Sequence, residues 1–164
     1  MFYLDLFAAL DSHKVDYLLI GGLALNIYGV ERATMDIDLM IALDEANVHR
    51  FIGAAESLRM TPVVPVPLQE LADEQKRRAW IQDRHMRAFA LRSNEPEKPT
   101  VDILIAPAID FAAAFSRRVV KQVGALPVCI ASVDDLLDLK RRAGRKQDLA
   151  DIEALRRLRQ LGRA

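Results

Sequence analysis

Residues Asp36 to Ile41 alternate without a break, with Ile37, Leu39 and Ile41 on one side of an extended chain and Asp36, Asp38 and Met40 on the other. That pattern is a β-strand, and it puts two carboxylates on one face. A strand rises about 3.3 Å per residue, so the Cα atoms of Asp36 and Asp38 stand roughly 6 to 7 Å apart. The two charges repel unless a cation lies between them. Asp102 repeats the arrangement, because Val101, Ile103 and Ile105 face a core and turn Asp102 to the opposite side of its own strand. If the two strands are neighbours, three acids converge. An all-oxygen cluster of this kind suits Mg²⁺ or Mn²⁺, which in pairs about 3.5 to 4 Å apart activate a hydroxyl and stabilise leaving oxygens in phosphoryl chemistry. Each aspartate on its own is equally the wetted face of an amphipathic strand.

The glycine pair Gly21-Gly22 falls between two other patterned segments. Val15 to Ile20 reads as a buried strand, and Leu23, Ala24, Ile27 and Tyr28 lie on one face of a helix that stops at Gly29. A glycine turn between strand and helix lets a phosphate approach the backbone closely, and free N–H groups of the helix start point at it. Anion and cation sites would then lie together. No G-x-x-x-x-G-K-[ST] or G-x-G-x-x-G element occurs, which removes the Walker P-loop and the dinucleotide-binding turn.

The remaining segments have clear local signals. Phe2, Leu6 and Leu10, with Tyr3 and Phe7 beside them, predict an opening helix ending near Ser12, and Asp44 predicts the cap of a helix that buries Val48, Phe51, Ile52, Ala55 and Leu58. Thr61 to Pro67 is expected as an edge strand or loop, Leu68 to Arg84 as a charged helix, and Ser93 to Pro99 as a turn. Met86–Leu91, Val119–Val123 and Pro127–Ala131 read as strands, and Asp110–Arg117 as a short helix. Ser132-Val133-Asp134-Asp135 has the form of a capping box, opening a helix that ends at Gly144. Leu149, Ile152, Leu155, Leu158 and Leu161 recur every three residues and predict a last helix packed by one stripe. Either Asp148 and Asp151 orient Arg and Lys side chains, or Asp148 is the cap of that helix, the cap being the preferred reading.

Composition excludes several classes. The 164 residues are 51% hydrophobic and 28% charged with 7 Gly and 7 Pro, which is a globular composition and neither disordered nor fibrous. Lys plus Arg (23) balances Asp plus Glu (23), so no global field argues for nucleic acid or membrane binding. Nine basic residues nevertheless crowd into 140–164 against Asp148, Asp151 and Glu153, presenting either an RNA-contacting or a solvated helix face. Cys129 alone cannot form an internal disulfide or a Cys-based zinc site, and His13, His49 and His85 lack metal-ligand spacing. Trp80, among Lys76, Arg77, Arg78 and Arg84, either stacks on a base or, more commonly for such a residue, packs. With no basic leader and no long apolar run, the expected location is cytoplasmic, without a membrane span.

Gly21-Gly22, thirteen residues containing Arg32, the run Asp36-Ile37-Asp38-Leu39 and the later strand residue Asp102 together resemble the DNA polymerase beta-like nucleotidyltransferase superfamily. Arg32-Ala33-Thr34-Met35-Asp36-Ile37-Asp38-Leu39 and the tail Gly144-Arg145-Lys146-Gln147-Asp148-Leu149-Ala150-Asp151 are similar to small prokaryotic AbiEii-type nucleotidyltransferases, several of which are toxins of toxin–antitoxin pairs. The resemblance covers most of residues 15–155, with no match over about 60–98. It implies a single α/β (α+β) domain over 1–164, with a catalytic core in 1–131 and a helical part in 132–164. The core is a palm-like, mixed twisted sheet with helices on one face, and the C-terminal helices lie beside the cleft.

The implied reaction is metal-dependent transfer of a nucleoside monophosphate from an NTP to an acceptor hydroxyl, releasing pyrophosphate. In this resemblance Asp36, Asp38 and Asp102 bind Mg²⁺ (or Mn²⁺), Asp102 also being the general base. Gly21 and Gly22 hold the triphosphate, and Arg32, Lys140, Arg145 and Lys146 meet its charge. The acceptor would be a tRNA, a protein or a small molecule, and an antitoxin a possible partner. Leu23 stands where a small hydroxyl residue often follows the glycines, and Gln147 occupies the usual Lys position, with Lys146 one place early. Two rival readings are an aminoglycoside or lincosamide nucleotidyltransferase and a non-catalytic nucleotide- or partner-binding module.

Overall fold

The alternating segment is β2 (Asp36–Ile41), and its apolar side is sealed, with Ile37 and Leu39 fully buried. In the computed structural model, which describes residues 2–163 apart from Pro96 and Pro107, β2 lies at the middle of a mixed sheet. It pairs antiparallel with β1 (Tyr17–Ile20) and parallel with β5 (Thr100–Leu104). Beyond β5 come β4 (Ala88–Arg92) and, at the edge, the two-residue β3 (Thr61–Pro62). Beyond β1 come β7 (Leu126–Ile130), parallel to it, and the hairpin partner β6 (Val119–Val123). The seven strands therefore run in the order β3-β4-β5-β2-β1-β7-β6.

The helices are α1 (Phe2–Ser12), α2 (Gly21–Tyr28), α3 (Glu45–Ser57), α4 (Glu74–Arg84), α5 (Phe111–Ser116), α6 (Val133–Ala143) and α7 (Lys146–Gln160). Asp44 caps α3 as expected, accepting from the Asn47 N–H at 3.0 Å. α1 packs on α3, α2 lies against β1 and β2, and α6 packs on α7. The mixed twisted sheet with its helices matches the expected fold class. On the side that carries the aspartates, Leu18 and Met40 are buried, so that face opens only toward the start of β2. The turn expected at 93–99 includes Pro96, which lies outside the described residues. Among the described residues no helix is long and apolar enough to cross a membrane.

Several local expectations change for identifiable reasons. Leu68–Arg84 is broken in two, because Asp73 accepts from the N–H groups of Gln75 (2.8 Å) and Lys76 (3.1 Å), starting α4 after a separate 3₁₀ turn over Leu68–Ala72. Trp80 is buried and stacks on Phe89 with ring centroids 5.3 Å apart, so it packs and offers no face to a base. At Ser132 only half of the capping box forms. Its hydroxyl accepts from the Asp135 N–H at 3.1 Å, while the Asp135 carboxylate takes the Ser132 hydroxyl at 2.7 Å and Arg117 in place of the Ser132 backbone N–H. The five-residue stripe on α7 also fails. A step of three residues falls about 60° short of a full circle, so the spacing winds around a helix of 3.6 residues per turn. Leu149 and Leu161 come out 65% and 66% exposed, and the buried face is Asp148, Asp151, Ile152 and Leu155.

This face makes a direct prediction. Leu155→Ala is expected to cost about 2–5 kcal/mol in urea unfolding, whereas Leu149→Ala, at the same spacing in sequence, changes stability by less than about 0.5 kcal/mol.

Candidate active site

Parallel pairing sets Asp38 opposite Asp102 and Asp36 opposite Thr100, so the three carboxylates share a face where β2 and β5 begin. Ile20 flanks the row beyond Asp38 and Ala90 beyond Asp102. Burial raises the Asp38 pKa and the Asp36 charge raises it further, against the opposing pull of Lys140, Arg145 and Arg32. Asp102 is pushed up to about 6, by burial first and then by Asp38 and Asp36. Its Oδ1 is buried and has no hydrogen-bond partner. Asp36 is exposed and accepts the Thr100 hydroxyl at 2.8 Å. Among the described residues, no three His, Cys, Asp or Glu side chains stand close enough together to hold a metal ion as they are arranged. The strands thus bring the acids to one place, and Thr100 ties Asp36 down within it.

The glycines are not a turn preceding a helix. They are the first two residues of α2, with Ile20 as N-cap and no side chain capping the start. Gly21 has φ +67°, and a Cβ there would fall on the Asp38 carboxylate, so both backbone and packing demand glycine. A Cβ on Gly22 would stand 2.7 Å from the Thr34 hydroxyl and 3.2 Å from Arg32 Cζ. The free N–H groups of α2 thus open beside an acid on one side and a guanidinium on the other.

The basic candidates separate by environment. Arg32 Nη1 bonds Asp151 Oδ2 at 2.5 Å, and Lys140 Nζ reaches Asp151 Oδ2 at 2.8 Å and Asp148 Oδ1 at 3.0 Å. Arg145 Nε closes the chain on Asp148 Oδ2 at 2.9 Å. Lys140 is buried between its two carboxylates, whereas the Arg145 side chain is 74% exposed. Lys146 is exposed in the first turn of α7, and no ion pair forms at it among the described residues. Asp148 is not the cap of α7, as preferred from sequence. That position belongs to Arg145, and Asp148 accepts its backbone N–H at 3.0 Å. Burial disfavours the Asp148 charge, but Arg145 and Lys140 override it and hold the pKa at about 2. Thr34 and Thr100 were not singled out from sequence, and only chain folding and strand register bring them in. His13, at the end of α1, packs against Gly53, so it lies apart from the acids.

Three predictions follow from these environments. Gly21→Ala should lower the melting temperature, read by calorimetry, because the added Cβ falls on the Asp38 carboxylate. Asp102 keeps its proton in the folded state up to about pH 6, so in metal-free protein its contribution to stability falls as pH rises from about 4 to 6. Asp102→Asn should therefore stabilise the metal-free protein at pH 7 by about 1–2 kcal/mol. Asp148, with its lowered pKa, acts in the opposite direction: its contribution is fully present above about pH 4 and is lost as pH falls to about 2, and Asp148→Asn removes it, read by urea unfolding across that range.

No protein-family model matches the chain, and no curated protein sequence does. Among solved structures it is similar to ANT(2")-Ia in complex with adenylyl-2"-tobramycin, at 15% identity and TM-score 0.59 over 94% of this chain and 85% of that one. It is also similar to an antigenic nucleotidyltransferase-like protein from Paracoccidioides brasiliensis (19%, 0.56, 92% and 71%). A third is the lincosamide antibiotic adenylyltransferase LnuA bound to lincomycin (17%, 0.55, 94% and 93%). The narrower likeness to AbiEii-type proteins rests on the sequence motifs alone. The seven-stranded mixed sheet with its surrounding helices is the fold of the nucleotidyltransferases.

Proposed function

We propose that this chain is a nucleotidyltransferase, moving a nucleoside monophosphate from an NTP to an acceptor hydroxyl with release of pyrophosphate. The observation that carries this reading is the Asp38–Asp102 register, set directly against Gly21 at the uncapped start of α2. Carboxylates and backbone N–H groups in one place suit a metal-bound triphosphate. The donor set fits a hard divalent cation. It is all oxygen, the Asp102 Oδ1 is buried without a partner, and burial together with the neighbouring carboxylates raises the pKa values of Asp38 and Asp102. Asp38 and Asp102, with Asp36 beside them, would hold Mg²⁺. When bound, the ion supplies charge neutralisation to the phosphates and activates the acceptor hydroxyl.

The chain's own groups do the positioning. The first N–H groups of α2 receive phosphate oxygens, and Arg32 and Arg145 supply cationic charge beside them. Asp102, in the row of carboxylates on β2 and β5, would take the proton of the acceptor hydroxyl. An NTP substrate fits a cytoplasmic site of action. The acceptor is a hydroxyl of a tRNA, a protein or a small molecule, and the antibiotics bound in two of the similar structures place aminoglycosides and lincosamides among the compounds to test. A toxin role would require a growth arrest on expression that disappears with Asp38→Ala.

The decisive assay incubates the protein with each labelled NTP, Mg²⁺, and tRNA, cell protein, an aminoglycoside and a lincosamide in turn. Labelling of one acceptor is expected, with a loss of at least about 100-fold in Asp38→Ala. Labelling unchanged by that substitution, or none with any acceptor, defeats the reading.

A further inference from the structure

We infer that Asp151 is a positioning residue of the phosphate site, acting through Arg32. This rests on the nucleotidyltransferase reading above. Arg32 lies in the irregular segment between α2 and β2, where nothing local fixes a long side chain. It is nevertheless only 18% exposed, because a carboxylate 119 residues later in the chain takes its Nη1 at 2.5 Å. That contact sets the guanidinium against Gly22, with Cζ 3.2 Å from the point a Cβ would occupy. Nε reaches only the Ala33 carbonyl, at 3.3 Å, and Nη2 makes no hydrogen bond among the described residues. Nη2 is therefore left with its N–H donors free on a guanidinium that stands beside the open end of α2, where a phosphate oxygen can accept them.

A carboxylate paired with one arginine would cancel the charge that a phosphate needs. Here it does not. Asp151 Oδ2 also takes Lys140 Nζ at 2.8 Å, and Lys140 in turn shares Asp148 with Arg145, so three cations meet two carboxylates and the cluster keeps one positive charge. Asp151 is 5% exposed and Lys140 is 7% exposed, so neither can reach a ligand itself. Their effect on a phosphate passes through Arg32.

The test measures binding of each of the four NTPs by calorimetry, with and without Mg²⁺, alongside melting temperatures. Arg32→Ala is expected to weaken binding by about tenfold, and Asp151→Asn by a similar factor. In the Arg32→Ala background, Asp151→Asn should change affinity by less than about twofold, since the route is already cut. Asp151→Glu keeps the buried charge for Lys140 but displaces the guanidinium, so it should lose affinity with little change in melting temperature. It serves if Asp151→Asn does not fold. Wild-type protein that binds no NTP overturns the nucleotidyltransferase reading and this inference with it. Wild-type binding, with Asp151→Asn equally damaging whether or not Arg32 is present, overturns the inference alone and leaves Asp151 a structural anchor of α7.

Discussion

Like charges avoid each other, yet the pairing of β2 with β5 places Asp38 and Asp102 side by side at the same level of the sheet. The rest of the site is arranged around that enforced proximity. Gly21 has no side chain because the Asp38 carboxylate occupies the space, and Thr100 donates to Asp36 because register puts the two opposite each other. Asp102 is left with an unmet Oδ1 and with a pKa raised by burial first and by the neighbouring carboxylates second. A buried polar atom without a partner costs free energy in the folded state, and the proposed cation site rests on it.

The positive charge near the acids is buffered differently. Free arginines and lysines at this distance would pair directly with Asp36 and Asp38. Instead Asp148 and Asp151, buried on α7, gather Arg32, Lys140 and Arg145 into a chain that spans three parts of the fold. Breaking a buried pair by removing one partner is costly, so the chain also fastens α7 to α6 and to the segment before β2. The same few side chains thus tie three parts of the fold together and hold positive charge near the acids.

Much of this was legible in advance where a short-range rule applies. The period-2 alternation of β2, the Asp44 cap and the stop of α2 at Gly29 are properties of a few consecutive residues, and they appear as expected. Longer-range expectations fared less evenly. The leucine spacing on α7 misled because a helix does not repeat every three residues, and Asp148 looked like a cap because its pairing with Lys140 comes from another helix. Asp73 could have been recognised as a cap within the charged run 68–84, since an aspartate before a helical stretch is the usual signal.

What the sequence determined by itself is the chemistry available and the faces on which it lies: glycines at a strand-to-helix junction, acids on one side of two strands, and a basic tail. Alternation and helical periodicity are local, so they can be read without knowing what touches what. Only the tertiary structure decided that β2 and β5 are neighbours, that their register matches Asp38 with Asp102, and that Lys140 is enclosed while Arg145 remains in solvent. Those outcomes depend on contacts between residues far apart in the chain, and the competition among several carboxylates for the same cations is settled by burial and distance.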